Sequence, residues 1–205
     1  MEATPLLFAA LVGFGHAFEA DHLVAVSTLV TRRNNARLAV KDGFFWGLGH
    51  TSTLLLIGSI FVLGRLVVQE ELFRFLEAGV GLMLIGLGGF RLMQMGRKSH
   101  THSHNHAHDS QHSLAYGVGL LHGLAGSGAL MMSVLATLTD AASSMAYLLI
   151  FGIGSVAGMI LAAGIFSVPF SEKVMQNPVV QKALTIFSSV LCIGLGGKVL
   201  LENLL

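Results

Sequence analysis

Residues 5–29 read PLLFAALVGFGHAFEADHLVAVSTL, a stretch that would pass for plain membrane helix without His16, Glu19, Asp21 and His22. Crossing a bilayer takes about 20 mostly apolar residues in a helix. A carboxylate near mid-bilayer costs about 2.5–3.5 kcal/mol on insertion scales, so two carboxylates and two imidazoles in one span are not filler. Intramembrane acids beside histidines bind a cation, pass protons, or both. Imidazole nitrogen and carboxylate oxygen also make a ligand set for a divalent transition metal.

The rest of the chain is of the same kind. Of its 205 residues, 53% are hydrophobic and 11% charged, against about 25% charged in an ordinary soluble domain. Six apolar stretches are long enough to span: 5–29, 43–64, 72–95, 114–138, 145–169 and 182–204. The expected fold is all-α, a polytopic membrane protein with six transmembrane helices; a soluble helical protein with a buried core is the alternative. Glu2 and the lack of a basic residue near the N-terminus argue against a cleavable signal. The one cysteine, Cys192, lies in the sixth span, which excludes a disulfide framework and a cysteine-based metal site. The net charge is +1 and no basic patch carries interleaved aromatics, so nucleic acid is set aside as a partner.

Basic residues orient the spans. With the N-terminus outside, the cytoplasmic side holds Arg32, Arg33, Arg37, Lys41, Arg97, Lys98, Lys173 and Lys182, with Arg91 at a span end. The opposite side holds Arg65, Arg74 and Lys198. The positive-inside rule then puts both termini on the outer side of the membrane and residues 96–113 on the cytoplasmic side.

The chain also repeats itself. Ile85-Gly86-Leu87-Gly88-Gly89 recurs as Ile193-Gly194-Leu195-Gly196-Gly197, an offset of 108. Gly47-Leu48-Gly49-His50 answers Gly152-Ile153-Gly154-Ser155 at 105, and His16 answers His122 at 106. The competing account is that small residues simply let membrane helices pack closely. Three spans per copy is an odd number, so the second copy must enter the membrane inverted, as in secondary transporters whose ion sites lie where repeats meet. The expected organisation is a first three-helix repeat at 1–95, a His-rich cytoplasmic loop at 96–113 and a second three-helix repeat at 114–205.

The candidate metal ligands are His16, Asp21, His22 and His50. Helical rise puts His22 and His50 each about 10 Å above the cytoplasmic face on antiparallel helices, where they can meet, with His16 and His122 nearer midplane. Geometry argues against one regular helix, since His16 and His22 stand about 240° apart around it. Either the helix is distorted, which Gly13 and Gly15 would permit, or only some of these residues ligate. Asp21 is alternatively a carboxylate that orients a histidine from behind. Glu19, His122, Thr51 and Ser127 are candidates for such supporting or proton-relay roles. The competing account for all of them is a polar pairing that locks helices together.

The tract HTHSHNHAHDSQH at 100–112 carries His100, His102, His104, His106, His108 and His112. Histidines alternating with small polar residues cannot form a core; they suit a flexible loop that captures and buffers nickel, cobalt or zinc. A merely solvated linker is the alternative.

These residues resemble a known family. His16-Ala17-Phe18-Glu19-Ala20-Asp21-His22-Leu23 is similar to the H-x4-D-H signature of the nickel/cobalt transporter superfamily, and Gly49-His50-Thr51-Ser52-Thr53 to its second, G-H-S/T motif. The whole-chain pattern resembles the short branch of urease-accessory membrane proteins, with Gly123-Leu124-Ala125-Gly126-Ser127-Gly128 fitting that branch. The resemblance implies a multi-pass permease for divalent nickel or cobalt, with the histidines and aspartate of the first motif essential; uptake is the expected direction because a negative interior draws a 2+ ion inward. It implies the metal ion as substrate and no permanently bound cofactor, membrane lipid around the spans, and a metallochaperone or urease or hydrogenase maturation proteins as further partners. Efflux of the same metals is an alternative, because efflux members also carry a His-rich loop. A non-transporting protein that delivers metal to enzyme maturation is another. An intramembrane zinc hydrolase is a third; no H-E-x-x-H motif supports it, and the chain is not expected to be an enzyme.

Overall fold

The computed structural model describes residues 3–30, 35–64, 70–96, 107–125, 140–168 and 177–205. These form α1 (Ala3–His16), α2 (Ala20–Val30), α3 (Ala36–Gly64), α4 (Glu70–Gly96), α5 (Ala107–Ala125), α6 (Ala141–Ser167) and α7 (Pro178–Leu204). No strand occurs among the described residues. Among the described residues, four segments are long and apolar enough to cross a membrane: Ala36–Gly64, Glu71–Met95, Ala141–Ser167 and Pro178–Leu204. They cover four of the six expected spans.

The first expected span is not one helix. It is divided into α1, 14 residues, and α2, 11 residues. Helix ends leave backbone groups without intrahelical partners, and here they are met locally. Phe18 N–H bonds the Gly15 carbonyl at 2.9 Å, Glu19 N–H bonds the His16 carbonyl at 3.1 Å, and α2 begins with Leu23 N–H on the Glu19 carbonyl. The Ser155 hydroxyl of α6 donates to the Gly13 carbonyl at 3.1 Å. The distortion that Gly13 and Gly15 permit is thus realised as a break, whose position the sequence did not mark.

The fourth expected span, 114–138, is described only as far as Ala125, and its helix begins at Ala107. The last part of the expected loop is therefore helical. Polar residues there mark where burial stops, not where helical hydrogen bonding stops.

Helix starts are capped as their residues dictate. Asn35 Oδ1 accepts from Arg37 N–H at 2.8 Å, and Asn177 caps α7 ahead of Pro178. Asp140 caps α6 by accepting from Ser143 N–H at 3.0 Å, a bond that holds its carboxyl below the ordinary value.

Polarity is arranged inside out compared with a soluble protein. Leu7, Phe8, Leu56, Leu63, Phe75, Leu82 and Phe187 are exposed, while His16, His22, His50, Asp42, His122, Ser155 and Ser189 are buried. An apolar outer surface on such a scale fits lipid contact. The main core contains Trp46, Leu84, Met159 and Cys192, drawn from α3, α4, α6 and α7.

The helices pack chiefly as α4 on α7, α3 on α6, α3 on α5, and α1 on α6. Glycine allows each approach. A Cβ at Gly119 would collide with the Trp46 carbonyl, at Gly49 with the Tyr116 carbonyl, at Gly13 with the Phe151 carbonyl and at Gly154 with the Ala10 carbonyl. Small residues that let backbones touch are the usual glue of membrane helices.

Candidate metal centre

The break between α1 and α2 makes the site. On a straight helix, His16 and His22 would lie about 9 Å apart along the axis. Instead the chain turns at Ala17–Glu19, and the two rings meet edge to face with centroids 4.5 Å apart. His50 comes from α3, its ring 5.3 Å from His16 and 5.5 Å from His22. His122 comes from α5, its ring 4.4 Å from His22. All four rings thus form one cluster.

All four histidines are buried, at 0–2% exposure. Trp46 packs beside His22 and His122, and Phe151 beside His16. Asp21 sits at the start of α2 and reaches two of the rings. Its Oδ1 lies 3.0 Å from His22 Nδ1 and its Oδ2 lies 3.2 Å from His122 Nε2. An ionised carboxylate only accepts, so both imidazoles donate to it, which leaves the lone pairs of His22 on Nε2 and of His122 on Nδ1. Neither of those nitrogens has a protein hydrogen-bond partner among the described residues, nor has either nitrogen of His16 or His50. Buried polar atoms are normally paired; a cluster of basic nitrogens without protein partners has the chemistry of a cation site. Potential ligand atoms of His16, His22 and His50 lie within 4.8 Å of one another, as do those of Asp21, His22 and His122.

The supporting candidates fall in different places. Glu19 is half exposed, and its Oε1 lies 2.9 Å from His16 Nδ1, too poorly aligned to count as a hydrogen bond. Thr51 lies outside the cluster; its hydroxyl donates to the Gly152 carbonyl at 3.1 Å and ties α3 to α6. Ser127 lies outside the described residues, as do His100, His102, His104 and His106. His108 falls within α5. His112 is also on α5, not in a loop, with Nδ1 2.6 Å from Asp42 Oδ1 and its ring stacked on Phe45. Sequence reasoning passed over Asp42, because an acid at the edge of a span reads as a surface charge. Its position one residue ahead of the apolar run from Gly43 was the available signal.

No protein-family model matches the chain, and no solved structure does. Among curated proteins, it is 34% identical over 172 residues to the urease accessory protein UreH of Bacillus sp. (strain TB-90), covering 78% of this chain and 75% of that protein. It is 26% identical over 197 residues to the Arabidopsis thaliana chloroplast protein FOR GROWTH AND FERTILITY 2, covering 89% of this chain but about half, 52%, of the plant protein. The extent of the first match, together with the motifs that build the buried histidine cluster, shows that the chain belongs to the UreH family, the short branch of the nickel/cobalt transporter superfamily.

Proposed function

We propose that this protein is a secondary permease for divalent nickel or cobalt, working in the uptake direction across the bacterial inner membrane. The carrying observation is the convergence of four buried histidines, six of whose eight ring nitrogens have no protein hydrogen-bond partner among the described residues, while the other two bond Asp21. The ion sheds water and is held by His16, His22 and His50, with Asp21 orienting His22 from behind. Asp21 also lowers the cost of a doubly charged ion in this apolar setting. Imidazole accepts nickel, cobalt and zinc alike, so selectivity rests on geometry and supply.

Helix contacts support an internal duplication. Gly13 meets Phe151 where Gly119 meets Trp46, Gly154 meets Ala10 where Gly49 meets Tyr116, and Gly88 meets Ser189 where Gly196 meets Gly81. Partners within each comparison are offset by 105 to 108 residues. Two inverted three-helix repeats account for that recurrence, and rocking one against the other opens the centre to alternate sides. With both termini outside, a potential of 100 mV favours inward movement of a 2+ ion by about 4.6 kcal/mol, so uptake needs no other driving force.

The name of the UreH relative favours one second reading, an accessory that passes metal to urease maturation without moving it across the membrane. Purified protein in sealed vesicles separates the two. We expect nickel to accumulate under a negative interior potential, and His22→Ala at equal insertion to abolish it. Vesicles that bind nickel at the surface but never fill would support the accessory reading instead.

A further inference from the structure

We propose that the centre holds its ion at two positions in turn, an all-imidazole one on His16, His22 and His50 and a carboxylate-bearing one on Asp21, His22 and His122, with His22 as the shared ligand. The proposal rests on the permease reading and names the step by which the ion crosses the centre. Both sets bring potential ligand atoms within 4.8 Å, and His22 is the member common to them. Its ring stands between the others, 4.5 Å from His16 and 4.4 Å from His122. One imidazole cannot sit fully in both sets at once, so filling one position weakens the other.

The two positions differ in the charge of their ligands. Three imidazoles are neutral, so the first set itself cancels none of the ion's 2+ charge. The second set contains a carboxylate, which cancels one of those charges. Each set has an acid at its edge: Asp21, 21% exposed, is a member of the second, and Glu19, half exposed, lies 2.9 Å from His16 Nδ1 beside the first. The ring nitrogens that now donate to Asp21 carry protons and offer no lone pair, which ties the handover to a rearrangement of His22 and His122. A single site binding through all five groups would hold nickel too tightly for turnover. Two weaker sites sharing a ligand let it enter and leave.

The test uses the full chain with nickel as the only probe, in detergent for binding and in vesicles for flux. His122→Ala and His122→Gln should keep nickel affinity within about threefold of wild type yet slow flux by at least about tenfold, because the ion has nowhere to go. His50→Ala should lose flux but still bind one nickel weakly, and X-ray absorption should show two imidazoles and a carboxylate oxygen around it. Wild-type flux in both His122 variants overturns the second position and leaves the permease reading intact. Should the His122 variants not fold, His50→Ala decides alone: a shell without carboxylate, or no bound nickel, overturns the proposal. A wild-type protein that neither binds nor moves nickel overturns the permease reading itself and this step with it.

Discussion

His50 on α3 and Ser155 on α6 occupy matching places 105 residues apart, each following a glycine that meets a carbonyl of the helix opposite. Their side chains do different work. Both ring nitrogens of His50 lack protein partners among the described residues, whereas the Ser155 hydroxyl is bonded to the Gly13 carbonyl. The same contrast runs through the two halves. Residues 3–96 bring His16, Asp21, His22 and His50 to the centre, and residues 107–205 add His122. Packing is thus two-sided and chemistry one-sided. Close helix approach demands small residues at every matching contact, because a carbonyl leaves no room for a methyl. At the place where α3 carries an imidazole, α6 carries a hydroxyl that holds the backbone of α1.

The strongest attack on that contrast is His50→Ser, which places on α3 the residue that α6 carries. Nickel binding should weaken by at least about 100-fold and flux should fall to background, since a direct ligand matters at least as much as the groups behind it. Near-normal binding would make the halves chemically interchangeable. Next come the matched glycines. Gly119→Ala and Gly13→Ala should each destabilise the protein by about 1–3 kcal/mol in reversible unfolding from detergent. Gly86→Ala, whose Cβ would meet open space, is the control and should cost nothing. A penalty at only one of the pair would undo the match.

Smaller still is Ser155→Ala. Losing one interhelical hydrogen bond in a membrane protein costs about 0.6 kcal/mol on average, and nickel affinity should not move. A large fall in affinity would assign Ser155 to the ion. Removing residues 100–106, the part of the histidine tract ahead of α5, should shift apparent affinity and spare the maximal rate. Complete loss of transport would place the tract on the ion's path.

Much of the site was legible before any fold was known, because ionisable residues in apolar runs are costly. His16, Asp21, His22 and His50 stood out for that reason, and the structure brings all four together. His122 was legible as the counterpart of His16 but not as the residue bonded to Asp21, since that contact joins positions 101 residues apart. The Asp42–His112 pair escaped notice likewise. His112 read as part of a flexible tract and Asp42 as a span-edge charge, and only the packing of α5 on α3 makes them neighbours.

Composition and apolar run length were enough to determine an all-helical chain built for a bilayer, because lipid leaves backbone groups no partner except their own helix. The residue types in the first run were enough to point to a cation. Tertiary structure decided that the distortion left open by Gly13 and Gly15 is a full break after His16. A straight helix holds His16 and His22 on different faces; at the turn, short-range backbone bonds take up the freed groups and Ser155 from a distant helix adds one more. That turn draws the rings onto one another, and no pattern within residues 5–29 encodes the helix that receives it.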